Sequence, residues 1–586
     1  MFTLRVARNI IGGSSVPFVR RAGASIWIKR DSPVLRTYAN VSVNLKENNI
    51  FHSSLPDIKS DSGNAYIHEF VWEGLDKWPD KIALVCAVTG RSYTHEQLRK
   101  LSGKCAASFR KLGLQPGEKI AIILPNMLEF ASAILGANEA ALPAALINPM
   151  YSAHEIRTQL QISDAVAIVT FRSKVEEIKK SIDGNRMIKV PIIVINDGSG
   201  PIPSDCINFN DLIENDVPEI SLTETMSGNH GDTILMPFSS GTSGLPKGVE
   251  LSHRNIVMNQ QQLGMRDVSS AEEAIGNHQE VIPLILPLFH VYGLALGLYQ
   301  GLRIGAKMIC VPQFTMKGFA DVLKTYNPSV LLLVPPMIQM MMYQSEIKPE
   351  DIKSLKIILS GAAPLGAELT TLFREHFKTD VRIAQGYGTT ETSPVISTSK
   401  DAPVESAGYI MANSQVRIVG REDHNEGKNL GIGEIGEFYV KGPQVMKGYY
   451  NNPEATANTM DGEWLKTGDL GFYAENGCLY VKDRLKDFIK VKGFQVAPAE
   501  LEELIRGFEK VKDVGVIGVA DQKSGEVPMA FVVAKPGVSL REEEVKEFVA
   551  KRVTKYKHLG HVTFTTDIPK SSSGKILRKE LRKLVA

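Results

Sequence analysis

Ser239-Ser240-Gly241-Thr242-Ser243-Gly244-Leu245-Pro246-Lys247-Gly248 packs three glycines, four hydroxyls and one lysine directly behind the apolar run Ile234-Leu235-Met236. The run reads as a strand. A strand that feeds a Gly- and hydroxyl-rich loop turns several backbone N–H groups toward one point. That concavity suits phosphate, and Lys247 adds a mobile positive charge. The order differs from the loop of the common NTPases, in which Gly, Lys and then Ser or Thr follow one another and the hydroxyl binds magnesium. Here Pro246 precedes Lys247 and Gly248 follows it. The loop is therefore expected to hold a triphosphate without supplying the metal ligand. A lone Gly-rich loop is more often a plain surface turn, so the rest of the chain has to decide.

Further blocks carry compatible chemistry. Gln385-Gly386-Tyr387-Gly388-Thr389-Thr390-Glu391 sets two glycines around a tyrosine, then two threonines and a carboxylate. Glycines let a backbone approach a ligand closely, and the tyrosine face can stack on a base. A threonine hydroxyl can bond an α-phosphate. Glu391 can hold Mg²⁺, a hard cation that prefers oxygen. Asp469, expected on a turn after Thr467-Gly468, can accept bonds from two ribose hydroxyls. Ser360-Gly361-Ala362-Ala363-Pro364 follows the strand Ile357-Ile358-Leu359, and small residues at a strand's carboxyl end leave room for a ligand. Lys575 sits in a Ser/Gly-rich loop among other basic residues, where it is equally a solvated charge. Singly, each block has a bland reading: a tight turn, a capping residue, a surface ion pair.

Taken in order, the loop at 239–248, Gln385–Glu391, Thr467–Asp469, Asp483-Arg484-Leu485-Lys486-Asp487, and Pro569-Lys570 through Ser573-Gly574-Lys575-Ile576-Leu577-Arg578 resemble the signature of the adenylate-forming superfamily. That superfamily comprises acyl-CoA synthetases, 4-coumarate–CoA ligases, beetle luciferases and peptide-synthetase adenylation domains. The resemblance covers roughly residues 65 to 583, and within the superfamily it is drawn toward a mitochondrial medium-chain acyl-CoA synthetase. It implies that Ser239, Ser240, Gly241, Thr242, Ser243, Gly244 and Lys247 surround the phosphates. It places Gly361, Ala362, Ala363, Gln385, Gly386, Tyr387, Gly388 and Thr390 around the nucleotide, Asp469 and Arg484 on the ribose, and Lys490 and Gln495 on the nucleotide side of a lid. Glu391 would take the metal. His290, within Phe289-His290-Val291-Tyr292-Gly293, would position the acid beside Gly361, Gly386 and Gly388 without transferring a proton. Lys492, Gly493 and Phe494 would wall the CoA channel, and Lys486 would be the hinge. Lys575 would be the adenylation catalyst, with Thr390, Glu391 and Lys247 assisting. A carboxylate attacking an α-phosphate brings two anions together, and a placed ammonium lowers that repulsion.

Length and composition bound the reading. At 586 residues the chain exceeds one hydrophobic core. Its 43% apolar and 23% charged residues are ordinary for a soluble protein, and a net charge of +2 gives no case for nucleic acid. Cys86, Cys105, Cys206, Cys310 and Cys478 are scattered, without CxxC spacing, which reads as reduced thiols. No transmembrane segment is expected: Ala131–Ile147 is interrupted by Asn138, Glu139 and Pro143 and reads as a buried helix followed by a strand. The first 30 residues hold Arg5, Arg8, Arg20, Arg21, Lys29 and Arg30, no acidic residue, and Phe2, Leu4, Val6, Ile10 and Ile11 on one possible helix face. That is the composition of a mitochondrial transit peptide. The last residues, Lys583-Leu584-Val585-Ala586, do not match a Ser-Lys-Leu address.

From about residue 65 strand and helix patterns alternate, which predicts mostly parallel sheets covered by helices. From 416 short strands and Gly-rich turns predict an antiparallel part, and Val514–Val519, Ala530–Ala534 and Glu542–Arg552 a smaller α+β unit. The expected fold is thus α/β: a transit peptide over 1–45, a linker over 46–64, an AMP-binding domain over 65–485 with two α/β sheets and a small antiparallel barrel-like part, and a mobile α+β lid over 486–586. The expected reaction is two-step acyl-CoA synthesis from a carboxylic acid, Mg-ATP and coenzyme A, with free CoA preferred to a carrier-protein thiol. A matrix address favours a medium-chain fatty acid. A 4-coumarate-like aromatic acid is the alternative within the class, and a catalytically inactive nucleotide-binding protein the alternative outside it. Oligomeric state is not readable.

Overall fold

Short runs of β-branched and aliphatic residues end at small or polar residues throughout the body, and each run forms a short buried strand. The computed structural model describes residues 49–585, apart from 60–64, 185–187, 215–216, 220–228, 240–245, 270, 344, 363–364, 366, 399–400, 422–424, 485–488, 493, 497, 570–575 and 577. Val43–Ala586 forms one compact unit. The transit-peptide expectation falls outside the described residues, as do Ser240, Gly241, Thr242, Ser243, Gly244, Ala363, Lys486, Gly493 and Lys575.

Among the described residues the first sheet has eight strands. Ala144–Leu146, Ile120–Ile122, Ala167–Phe171, Ile193–Ile195 and Ile207–Asn208 continue in parallel from Thr233–Ser239, while Lys247–Ser252 and Gly448–Tyr449 extend the other edge antiparallel. Leu128–Glu139, whose residues are all buried, packs behind it. Full burial on every side explains why this helix shows no polar face. Ala153–Ser163 opens with a capping box of Ser152 and Glu155, and His253–Gly264 with one of Ser252 and Asn255. Such boxes satisfy the orphan donors of a first turn.

The second sheet joins Val330–Leu333, Ile357–Ser360 and Arg382–Gly388, which are parallel, to an antiparallel run from Val395–Thr398 to Ile50–His52. The expected antiparallel part is therefore an extension of a parallel sheet, the described strands do not close a barrel, and the stretch expected as a linker supplies the edge strand Ile50–His52, held by burial of Phe51. A third sheet places Val281–Leu284, Lys307–Cys310 and Ile82–Cys86 in parallel, with Ser92–Thr94 antiparallel at the edge. The C-terminal sheet pairs the long strands Val511–Asp521 and Gly525–Ala534, adds the hairpin Ile489–Val491 and Phe494–Val496, and has an apolar core of its own around Val514, Val532 and Val545. All five cysteines are free. No helix among the described residues is long and apolar enough to cross a membrane.

Candidate functional site

The decisive loop closes as a hairpin. Ser239 pairs with Lys247 and Phe238 with Gly248, so the loop between them starts and ends at adjacent backbone positions. Gly248 accommodates this because a Cβ there would meet the Met236 sulfur at 2.8 Å. Lys247 thereby begins its strand, 6% exposed, with its Nζ 4.8 Å from the centre of the Tyr449 ring. Burial lowers its pKa, and the Glu391 carboxylate opposes that shift.

Glu391 is the meeting point of three segments. It sits in the short helical turn Thr390–Thr392 behind the strand Arg382–Gly388. Its Oε1 accepts from Ser239 Oγ at 2.7 Å and from the Tyr449 hydroxyl at 2.8 Å. Its carbonyl accepts from the Met446 amide at 2.8 Å. Both side-chain bonds use the same oxygen, which leaves Oε2 for a ligand as far as the described residues go. A carboxylate oxygen left open in this way is a donor that suits Mg²⁺.

These groups open on a cleft of about 2400 Å³, lined among others by Ser239, Pro246, His290, Tyr292, Gly361, Ala362, Gly386, Tyr387, Gly388, Thr390, Glu391, Tyr449, Asp469, Lys490, Lys492 and Phe494. All four described sheets contribute to it. Gly361 must be small, because a Cβ would come within 2.9 Å of the Tyr292 ring. Gly388 must be small because a Cβ would collide with the Pro394 carbonyl oxygen at 1.8 Å. Ala362 follows at φ +65°, in the left-handed region that disfavours a side chain. His290 is open to cleft solvent, and its Nδ1 accepts from the Tyr292 amide at 3.2 Å. Enclosure by the cleft walls lowers its pKa and Glu391 partly opposes this.

Two sequence readings need correction. Asp469 does not sit on a turn. It is 2% exposed within the ten-residue strand Trp464–Tyr473, in register with Arg484, and the Tyr387 hydroxyl donates to its Oδ2 at 2.9 Å. The glycine that signals a turn, Gly468 at φ +75°, only twists the strand, and the register shifts just beyond it. Gln385 does not face the cleft with its side chain. Its amide binds the Leu365 backbone at 2.7 and 3.1 Å and also the Val404 carbonyl, so it ties Leu365 to Val404. The lid loop is a hairpin: Lys490 and Lys492 are exposed on it, Lys492 has φ +50°, and Phe494 stacks on Tyr556 at 4.3 Å. Arg484 and Gln495 are placed only by backbone, in the strands Cys478–Arg484 and Phe494–Val496.

Sequence reasoning missed Tyr449 and the wall after His290. The pair Tyr449-Tyr450 behind Gly448 was the available signal for the first. Gly293–Tyr299 forms a π-helix, a rare element often found at functional sites, and it carries Leu296 to the cleft.

Residues 71–450 match the AMP-binding enzyme family and residues 500–575 its C-terminal domain. The chain belongs to the AMP-binding enzyme family. It is 38% identical over 553 residues to 4-coumarate–CoA ligase 1 of Petroselinum crispum, covering 92% of this chain and 98% of that protein. To 4-coumarate–CoA ligase 1 of Arabidopsis thaliana it is 37% identical over 549 residues, covering 92% and 95%. Among solved structures, o-succinylbenzoate CoA synthetase of Bacillus subtilis aligns with TM-score 0.73 and 27% identity over 88% of this chain and 98% of that one. The amide bond synthetase of Marinactinospora thermotolerans, at 24% identity and TM-score 0.74 over 89% of this chain and 99% of that one, shares the fold. This AMP-binding family member is an AMP-forming acid–CoA ligase, a class whose substrates are an acid, ATP and CoA. The relatives lean toward aromatic-acid ligases rather than toward the medium-chain subtype expected from sequence.

Proposed function

We propose that this enzyme activates an aromatic, 4-coumarate-like carboxylic acid with ATP and transfers the acyl group to CoA. What carries the reading is the likeness to 4-coumarate–CoA ligases over nearly the full chain, combined with a cleft lined by Glu391, Tyr387, Asp469 and Tyr449, the last with the Lys247 ammonium over its ring. Lys247 would neutralise charge on the leaving pyrophosphate, and the flanking loop amides would hold the phosphates. Glu391, through Oε2, would hold Mg²⁺, which shields phosphate charge when bound. Tyr387 and Asp469 form one bonded unit that would take adenine and ribose. Acid and α-phosphate would meet between His290 and Thr390, where Gly361, Gly386 and Gly388 leave room. Activation as acyl-AMP makes a poor electrophile reactive toward the CoA thiol. The Lys490–Phe494 hairpin would border the thiol's approach, and Lys575 would act in the first step.

A second reading, a medium-chain fatty acid, is favoured by the wall beyond His290. Leu286, Phe289, Leu296, Val334, Met337 and Leu359 line it. The donors of its tyrosine and asparagine are already used: the Tyr292 hydroxyl donates to the Leu359 carbonyl at 3.1 Å, and Asn126 Nδ2 to the Leu284 and Leu286 carbonyls. A phenolic hydroxyl placed there would find neither donor free, and left unpaired would cost about 1–3 kcal/mol. CoA-dependent AMP formation with 4-coumarate, cinnamate, octanoate and decanoate separates the readings. A higher kcat/KM for 4-coumarate supports the first; octanoate or decanoate at the head of the series replaces it with the second. The basic, acid-free N-terminus supports mitochondrial import as the address. A fluorescent protein fused behind residues 1–50 should reach mitochondria, and a diffuse or peroxisomal signal would overturn this.

A further inference from the structure

One buried cluster takes no part in the chemistry above. Lys557, on the C-terminal part, is 4% exposed, yet its ammonium lies 3.0 Å from Glu155 Oε1 of the body and 2.7 Å from Glu500 Oε1 of its own part. The ring of the body's Tyr151 is 4.5 Å away. Glu155 is already committed locally: as the N3 residue of the capping box, its Oε2 accepts from the Ser152 amide at 2.9 Å. The Ser152 hydroxyl reaches across the same junction to the Arg552 carbonyl at 2.6 Å, and Asn148 Nδ2 donates to the Tyr556 hydroxyl at 3.4 Å. The cap of one body helix thus receives the segment 552–557. Tyr556, next to Lys557 in the chain, stacks on Phe494 at 4.3 Å with the ring planes 17° apart. The segment 552–557 is therefore in contact with the hairpin that carries Lys490 and Lys492 to the cleft.

We propose that Lys557, seated between Glu155 and Glu500, is a positioning residue that holds the C-terminal part in the pose where the 490–494 hairpin faces the cleft, and so serves the thiol-transfer step and not adenylation. This rests on the two-step ligase reading. A buried ion pair adds little net stability, because desolvation offsets most of its attraction, but it penalises any arrangement that strands one partner. Such a contact selects a pose without making it permanent, as a part that must move between two steps requires. Burial opposes the Lys557 charge and the neighbouring carboxylates and tyrosines overcome it, so its pKa is raised well above the ordinary lysine value.

The test measures the half-reactions separately on the full chain, with 4-coumarate and octanoate and their synthetic adenylates as probes. Lys557→Met leaves two carboxylates facing each other. It should keep pyrophosphate release within about threefold of wild type and slow thioester formation from acyl-AMP and CoA by about 30-fold or more. Lys557→Arg should recover most of the loss. Glu155→Gln keeps the capping box, since Gln also serves at N3, removes one charge, and should fall between. It also carries the test if Lys557→Met does not fold. Equal loss of both half-reactions, or an unchanged thioester rate, overturns the proposal. A wild-type chain that performs neither half-reaction overturns the ligase reading beneath it.

Discussion

Lys247 and Tyr449 form the unit in which single atoms can be tested. Removing the ammonium in Lys247→Ala should cost about 2–4 kcal/mol of transition-state stabilisation in adenylation, read as kcat/KM for ATP in pyrophosphate exchange; wild-type kinetics would mean the loop is misassigned. Burial lowers the Lys247 pKa, so the free enzyme should lose this proton at a pH below that of ordinary lysine. The alkaline limb of kcat/KM for ATP should accordingly fall early, and Lys247→Arg should shift it upward because a guanidinium does not deprotonate in that range. An unmoved limb assigns the titration elsewhere. Tyr449→Phe deletes the bond to Glu391 but keeps the ring beneath Lys247, and should cost about 1 kcal/mol. Tyr449→Ala removes both and should cost several times more, measured in the same assay. If the two variants behave alike, the ring has no role.

At the scale of elements, the strand Arg382–Gly388 shows how narrowly the site is drawn. Gly388→Ala forces a Cβ against the Pro394 carbonyl, whereas a Cβ at Gly386 has its nearest atom at 3.7 Å. Gly388→Ala should lower the melting temperature and abolish adenylation together. Gly386→Ala should melt like wild type and affect only the acid's KM, because it narrows the cleft and nothing else. Matching melting temperatures for the two would show that the strand yields where the contacts say it cannot. The same strand marks what sequence could reveal. Alternation and apolar runs locate Ile120–Ile122, Ala167–Phe171 and Val330–Leu333 to within a few residues, because burial on both faces leaves a continuous apolar record. Asp469 defeats that logic: Gly468 reads as a turn, yet pairing on both sides keeps the strand intact. The π-helix at Gly293–Tyr299 leaves no periodic signature at all. Glycines that avoid a collision, such as Gly361 with the Tyr292 ring, are legible as motif letters, but their reason appears only with the partner in place.

For the molecule as a whole, the legible part was the ordered set of blocks, and the illegible part was contact between distant segments. Glu155 and Lys557 are 402 residues apart in sequence, and no local pattern announces such a pair. Buried histidines are a second case, since each looks like a surface residue until its surroundings close. His95 begins the helix His95–Lys111, is fully buried, and donates through Nε2–H to the Ala306 carbonyl at 3.2 Å, which ties that helix to the third sheet. Burial lowers its pKa from 6.5 to about 4. The sign follows: above pH 6.5 both native and unfolded chains hold it neutral, and its contribution to stability is complete. Between 6.5 and about 4 the unfolded chain binds a proton that the native chain refuses, so stability falls by about 1.4 kcal/mol per pH unit. Other groups run the opposite way, notably Glu139, whose pKa burial pushes up to about 8, so the total profile would hide the effect. A difference removes them. His95→Gln cannot titrate, and its deficit relative to wild type, measured by urea unfolding, should be largest at pH 7.5 and narrow steadily from pH 6.5 toward pH 4.5. A constant gap across that range would show that His95 is protonated in the folded enzyme and that its burial is less complete than its packing implies.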